Sequence, residues 1–142
     1  MGIARAVSLK SKDKSTKIGA VAVDTGNGIV STGYNDLPRR IRHTDERHDR
    51  PLKYKCTSHA EENLVAQASR KGVSLMGCRI YITSLPPCPT CARLIIQSGI
   101  TEVIVDGLDV PDRWQEDCGI AKEMLEEADI KIRKINEDHP QK

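Results

Sequence analysis

The chain of 142 residues has no phenylalanine, and Trp114, Tyr34, Tyr54 and Tyr81 are its only aromatic side chains. Proteins that grip single-stranded nucleic acid offer aromatic platforms to successive bases, so this scarcity favours a small-molecule substrate. A dominant charge is missing too. Twenty-two basic residues face 20 acidic ones, for a net charge of +2, too balanced for stable residence on a phosphate backbone. No run of 18 apolar residues occurs, which argues against a membrane span. The opening MGIARAVSLKSKD has too short an apolar stretch for a secretory signal. A cytoplasmic location is expected, with a cellular or a viral source left open. The five cysteines are an odd number; without an export signal they suggest metal or redox chemistry before a disulfide framework. What is present is ordinary for a soluble protein: 38% hydrophobic and 30% charged residues, and a length that fits one domain over 1–142.

Periodicity gives a coarse map. Ile3, Val7 and Leu9 suggest a short first helix. Residues 18–24 and 29–34 read as two strands joined by the turn DTGNG, an antiparallel hairpin. Residues 35–57, with Pro38 and Pro51 among Arg, His, Asp and Glu, have no period and read as one long surface loop. Helices are expected over 59–71, closed by Gly72, over 88–98, ended by Gly99, and over 114–128. Strands are expected over 79–83, 101–106 and 130–135. Alternating strands and helices in the second half imply parallel pairing with crossover helices. The expected class is α/β, with a mixed sheet of about five strands.

Two short motifs carry the chemistry, and each opens an expected helix: His59-Ala60-Glu61 and Pro87-Cys88-Pro89-Thr90-Cys91. H-x-E paired with P-C-x-x-C is the signature of zinc nucleobase deaminases. Cys88 and Cys91, three apart, share one side of a helix. With His59 they give three ligands for a tetrahedral zinc and leave a fourth position for water, as in catalytic sites. Converging helix N-termini favour thiolates, and zinc brings the pKa of bound water to about 7. Glu61, two residues from His59, is placed to move protons without being a ligand.

Other readings compete. CxxC alone also occurs in redox pairs. Cys56, in Cys56-x-x-His59, could complete a closed Cys3His structural site with Cys88 and Cys91. Ser58-His59-Ala60-Glu61 also fits a capping box, in which Glu61 reaches back to the backbone of Ser58 and is not free to serve a metal. Cys78 and Cys118 read as small core residues, and His43, His48 and His139 as solvated. A second zinc at His43, His48 and Cys56 is an alternative for the first two histidines.

Over about residues 1–106 the chain resembles the deoxycytidylate deaminases of the cytidine deaminase-like superfamily. The resemblance lies in Ser11-Lys12-Asp13 with Ser15-Thr16, Gly19-Ala20-Val21 and Gly33-Tyr34-Asn35 with Pro38. It continues in His59-Ala60-Glu61 with Asn63, the Cys88–Cys91 motif and Ile95-Ile96-Gln97-Ser98-Gly99-Ile100. It implies a three-layer αβα fold and hydrolytic deamination of dCMP to dUMP in the supply of pyrimidine deoxynucleotides. It also implies Zn2+ on His59, Cys88 and Cys91, with Glu61 as proton shuttle. Asn35 matches a residue that holds the sugar and base, Ala60 gives a backbone contact near the exocyclic amine, and Ser11 or the basic loop meets the phosphate. A homohexamer, and dCTP and dTTP effectors each with Mg2+, are further implications. Asp36 stands where the family has glycine, in a loop that often holds the effector. The 39–57 loop also departs from the family, and its arginines Arg39, Arg40, Arg42, Arg47 and Arg50 could bind more than one phosphate, admitting dCTP as substrate. A tRNA deaminase, a free-base or nucleoside deaminase of the same fold, and a non-enzymatic zinc module are the alternatives.

Overall fold

Asp24 starts the first hairpin. Its Oδ1 accepts the N–H groups of Gly26 (2.9 Å) and Gly28 (2.8 Å), and Asn27 takes the left-handed conformation at φ 63°. Asn tolerates that region because its short polar side chain satisfies the local backbone. The computed structural model describes residues 1–136, and His139 lies outside the described residues. The elements in chain order are α1 (Gly2–Ser8), β1 (Gly19–Val23), β2 (Ile29–Tyr34), α2 (Asp45–His48), α3 (Lys53–Cys56) and α4 (Ala60–Lys71). They continue with β3 (Arg79–Ile82), α5 (Pro89–Gln97), β4 (Glu102–Val105), α6 (Asp112–Glu127) and β5 (Lys131–Lys134).

The sheet order is β2-β1-β3-β4-β5. β1 runs antiparallel to β2 and β3, while β3, β4 and β5 are parallel. The mixed five-stranded α/β sheet expected from the sequence is thus present. Register places Ala20 beside Gly33 and Ile82, and Ile82 beside Val105. Side chains alternate across a strand, so Ala20, Ala22, Ile80, Ile82, Val103 and Val105 share one face. They form the main core with Leu64 and Ala68 of α4, Ala92 and Ile95 of α5, and Ala121 and Leu125 of α6. The opposite face takes α1, which packs on β1 and β2. The layers are helix, sheet, helix. Among the described residues no helix is long and apolar enough to cross a membrane.

Ala60, Leu64 and Ala68 recur every four residues on the buried side of α4, the spacing that stacks side chains on one helical face. Gly33 lets that face approach the sheet backbone. A Cβ there would lie 2.2 Å from the Ala60 carbonyl oxygen and 2.4 Å from the Leu64 nitrogen. Gly72, left-handed at φ 67°, ends the helix as glycine does at such caps.

The one revision lies in residues 35–57. The expected single loop contains two one-turn helices and a buried Leu37. Thr44 caps α2 by accepting the Arg47 N–H on its Oγ1 at 3.3 Å. A four-residue turn is too short to leave an apolar period, so the pattern could not announce it. The segment is tied down at both ends. Asp36 and Ser58 exchange backbone hydrogen bonds of 3.2 and 2.9 Å, and Lys53 Nζ sits 2.8 Å from Asp13 Oδ2.

Candidate active site

Two helix starts meet at one point. His59 is the N-cap of α4 and Cys88 the N-cap of α5, with Pro89 as the first helical residue and Cys91 two positions further. Proline suits that first position because its missing N–H would have no helical partner. Both caps have extended backbone, which turns their side chains into the space before the helices. The His59 Nδ1 lies 3.5 Å from Cys88 Sγ and 3.4 Å from Cys91 Sγ. A tetrahedral zinc with bonds of about 2.0–2.3 Å separates its ligand atoms by roughly 3.5 Å. The donor set and its spacing therefore fit zinc.

The electrostatics agree. A hydrogen bond with Cys91, and then one with His59, brings the Cys88 thiol down to about 4. Cys91, which holds the shared proton and is buried, is pushed up. The hydrogen bond to Cys88 lifts His59 to about 9 against the opposing effect of burial. Three groups share negative charge and protons at the positive ends of two helices, where a divalent cation can replace the protons.

Cys56 does not join them. Among the described residues the metal-competent group here consists of His59, Cys88 and Cys91, and Cys56 ends α3 outside it. The closed Cys3His arrangement is therefore not formed. The capping-box reading also shifts by one residue. The N-cap is His59, not Ser58, and Glu62 returns to it, its Oε2 accepting the His59 N–H at 3.1 Å. Counting from His59 gives the cap spacing with Glu62 at the third helical position, a signal present in the sequence.

Glu61 is thereby free of the cap. It is 6% exposed, and burial raises its carboxyl pKa. Ala60 is fully buried beside it. Asn35 is also buried. Its Oδ1 accepts the Ile18 N–H at 2.7 Å and its Nδ2 donates to the Thr16 carbonyl at 2.9 Å. One amide hydrogen of Asn35 remains for another acceptor. Ser11 is 2% exposed and its hydroxyl donates to the Asn35 carbonyl at 2.7 Å. It supports Asn35 from beneath and does not present a hydroxyl to solvent. Asn63, noted in the motif, donates to the Tyr34 carbonyl at 2.7 Å and so ties α4 to β2.

The arginines of 39–57 do not pair with the neighbouring acids. Asp45 and Asp49 are taken by Lys14, at 3.3 and 3.6 Å. Arg39 bonds Gln67, Arg47 donates to the Arg42 carbonyl, and Arg50 lies over the Tyr54 ring. His43 and His48 are not separately solvated; they face each other beside Asp36. Cys78 is a core residue, whereas Cys118 is half-buried with its thiol toward the Pro86 carbonyl. Lys53 and the pairing of Asp36 with Ser58 escaped the sequence reading, because their partners lie 40 and 22 residues away with no local pattern between.

The family model described as the cytidine and deoxycytidylate deaminase zinc-binding region matches residues 1–106. A deaminase from Aliivibrio fischeri encoded in the luxG 3' region is 38% identical over 132 residues, covering 92% of this chain and 86% of its own. Deoxycytidylate deaminase of Mus musculus is 33% identical over 145 residues, covering 95% of this chain and 76% of its own. Among solved structures, dCMP deaminase from the cyanophage S-TIM5 in complex with dCMP and dUMP superposes with a TM-score of 0.75. It does so at 22% identity, over 94% of this chain and 92% of that one, a likeness of fold.

Proposed function

The chain belongs to the cytidine and deoxycytidylate deaminase family, and from that premise we propose that it hydrolyses dCMP to dUMP and ammonia. The observation that carries this reading is Glu61, buried yet uncapped, beside the triad of His59, Cys88 and Cys91 on two helix starts. His59 Nδ1, Cys88 Sγ and Cys91 Sγ would hold the metal. Zinc, when bound, supplies Lewis acidity and lowers the pKa of water to about 7. Glu61 takes the proton from water, passes it to the pyrimidine ring nitrogen and then serves the departing amine. Burial raises its pKa, which strengthens its hold on a proton between the two transfers. Water contributes the new carbonyl oxygen and ammonia leaves, so the step needs no further reactant.

Recognition of the nucleotide falls to Asn35, held in one orientation by Ile18, Thr16 and Ser11, for the sugar and base edge. The backbone of Ala60 serves the amine region. The 5′-phosphate belongs to the arginines of 39–57, whose charge no carboxylate among the described residues neutralises at salt-bridge distance. The same charge supports dCTP as a second substrate. The substrate named for the mouse relative, 33% identical, supports dCMP over a polymer. A homohexamer in the cytoplasm, with dCTP and dTTP as Mg2+-bound effectors, completes the proposal by family likeness. Asp36, bridged to Ser58, alters the loop where an effector would sit.

Ammonia release from deoxycytidine, dCMP, dCTP and a short cytosine-containing oligonucleotide tests the reading. The nucleotides should exceed the nucleoside in kcat/KM, and the oligonucleotide should be poorest. A nucleoside handled as well as dCMP removes the phosphate role, and an oligonucleotide that outcompetes both nucleotides overturns the substrate.

A further inference from the structure

A second cluster of ligating atoms lies in the segment that precedes α4. His43 Nδ1 and His48 Nε2 face each other at 2.9 Å, and Asp36 Oδ1 lies 3.8 Å from His43 Nδ1. The three atoms all fall within 4.8 Å of one another, the same measure that gathers His59, Cys88 and Cys91. The imidazole centroids are 5.1 Å apart. Two imidazoles on one tetrahedral zinc, at about 2.0 Å per Zn–N bond, place their centroids roughly 5 Å apart. The Asp36 side chain is 11% exposed, and no lysine or arginine among the described residues pairs with it.

We infer that Asp36, His43 and His48 form a second metal site, distinct from the catalytic triad, for a divalent first-row transition ion such as zinc. Two imidazole nitrogens and a carboxylate oxygen, with no thiolate, select such ions over Mg2+ and Ca2+, which prefer all-oxygen sets. The sequence pairs these histidines with Cys56 as a candidate; the structure replaces that thiol with Asp36, seven residues before His43. Nitrogen facing nitrogen means that the rings share either one proton or one metal. A metal here clips the segment around α2 onto the end of β2, because Asp36 is bridged through its backbone to Ser58, the residue before His59. Its role is to hold the arginine-bearing segment against the sheet. The inference does not depend on which nucleotide the catalytic site takes.

The test uses tag-free zinc holoenzyme equilibrated with excess Zn2+, freed of unbound ion and analysed for metal. The parent should hold two zinc ions per chain, and a His43→Ala/His48→Ala variant one, while keeping dCMP turnover above that of a metal-stripped sample. Asp36→Asn, which keeps both rings, should hold the second ion more weakly than the parent. Co2+ added to protein carrying only its catalytic zinc should give visible d–d bands without thiolate charge-transfer absorption. One zinc per chain in the parent, with no cobalt bands, means that the histidines share a proton, and overturns the inference. So does a double variant that still holds two ions. Failure of deamination with both ions present would count against the catalytic reading alone.

Discussion

The two ligand clusters differ in what holds them. His59 and Cys88 cap helices of 12 and nine residues whose inner faces are locked into the core by Leu64, Ala92 and Ile95. Asp36, His43 and His48 hang on a stretch with one four-residue turn, fixed by a backbone bridge and an ion pair. Rigid elements set geometry more finely than loops. The fold therefore holds the first cluster more firmly than the second. Substitutions on either side sharpen or break that contrast.

The largest effect belongs to Glu61. Glu61→Gln keeps the volume and removes the titrating group, so kcat should fall by about 10²–10⁴ with zinc content unchanged. Metal analysis and initial rates on the same preparation check it. Near-parental turnover would strip Glu61 of its proton role. The close approach behind it comes next. Gly33→Ala drives a Cβ into the Ala60 carbonyl and the Leu64 N–H. Neither backbone group can rotate away, so the cost should reach about 3 kcal/mol, the upper part of the usual overpacking range. Denaturant midpoints measure it. Zinc retention should weaken as well, because His59 moves with α4.

The irregular segment should answer to pH. Burial pushes the Asp13 carboxyl up, but hydrogen bonds from Lys53 and from the Thr16 and Ser15 N–H groups outweigh it and leave the pKa lowered. A depressed carboxyl stabilises the fold above its unfolded pKa, about 3.9, and loses that contribution as pH falls through the folded value. Asp13→Asn should thus cost roughly 2 kcal/mol near neutral pH, short of the 3–5 of a fully buried pair. The gap to the parent should stay flat above about pH 5 and close in more acidic buffer. Urea midpoints across that series report it; a gap unchanged at low pH would mean that the pair contributes no charge-dependent stability.

The same contrast explains what could be read in advance. The five strands and the four longer helices left apolar periods or Gly ends, as in Ala60-Leu64-Ala68 followed by Gly72. The His-Cys-Cys group and its neighbouring glutamate were legible because their spacing is local: Cys91 follows Cys88 by three positions, and Glu61 follows His59 by two. The second cluster was half legible. His43 and His48 stand close in sequence, but Asp36 joins them through the path of an irregular chain, and Cys56, equally near on paper, is not part of the group. Ser11 shows a further limit. A serine in a recognised motif offers a hydroxyl in sequence terms, yet here that hydroxyl is spent on the Asn35 carbonyl. Burial decides availability, and burial is a tertiary property.

The smallest effect is the one that separates two adjacent glutamates. Glu62 accepts the His59 N–H, an orphan donor at the start of α4. Glu62→Ala leaves that donor to water and should cost about 1 kcal/mol, as other cap losses do. Glu62→Gln keeps an acceptor at the same reach and should restore most of it, since glutamine also serves in this position of the capping box. Turnover should change only slightly in both, because His59 is still aimed by Cys88, Cys91 and the packing of Ala60. Glutamine at 61 and at 62 therefore gives opposite outcomes one residue apart: activity lost with stability kept, against both kept. If Glu62→Gln were as inactive as Glu61→Gln, the division of labour between cap and proton shuttle would be wrong. The order of the catalytic cluster would then rest on something other than the helix start.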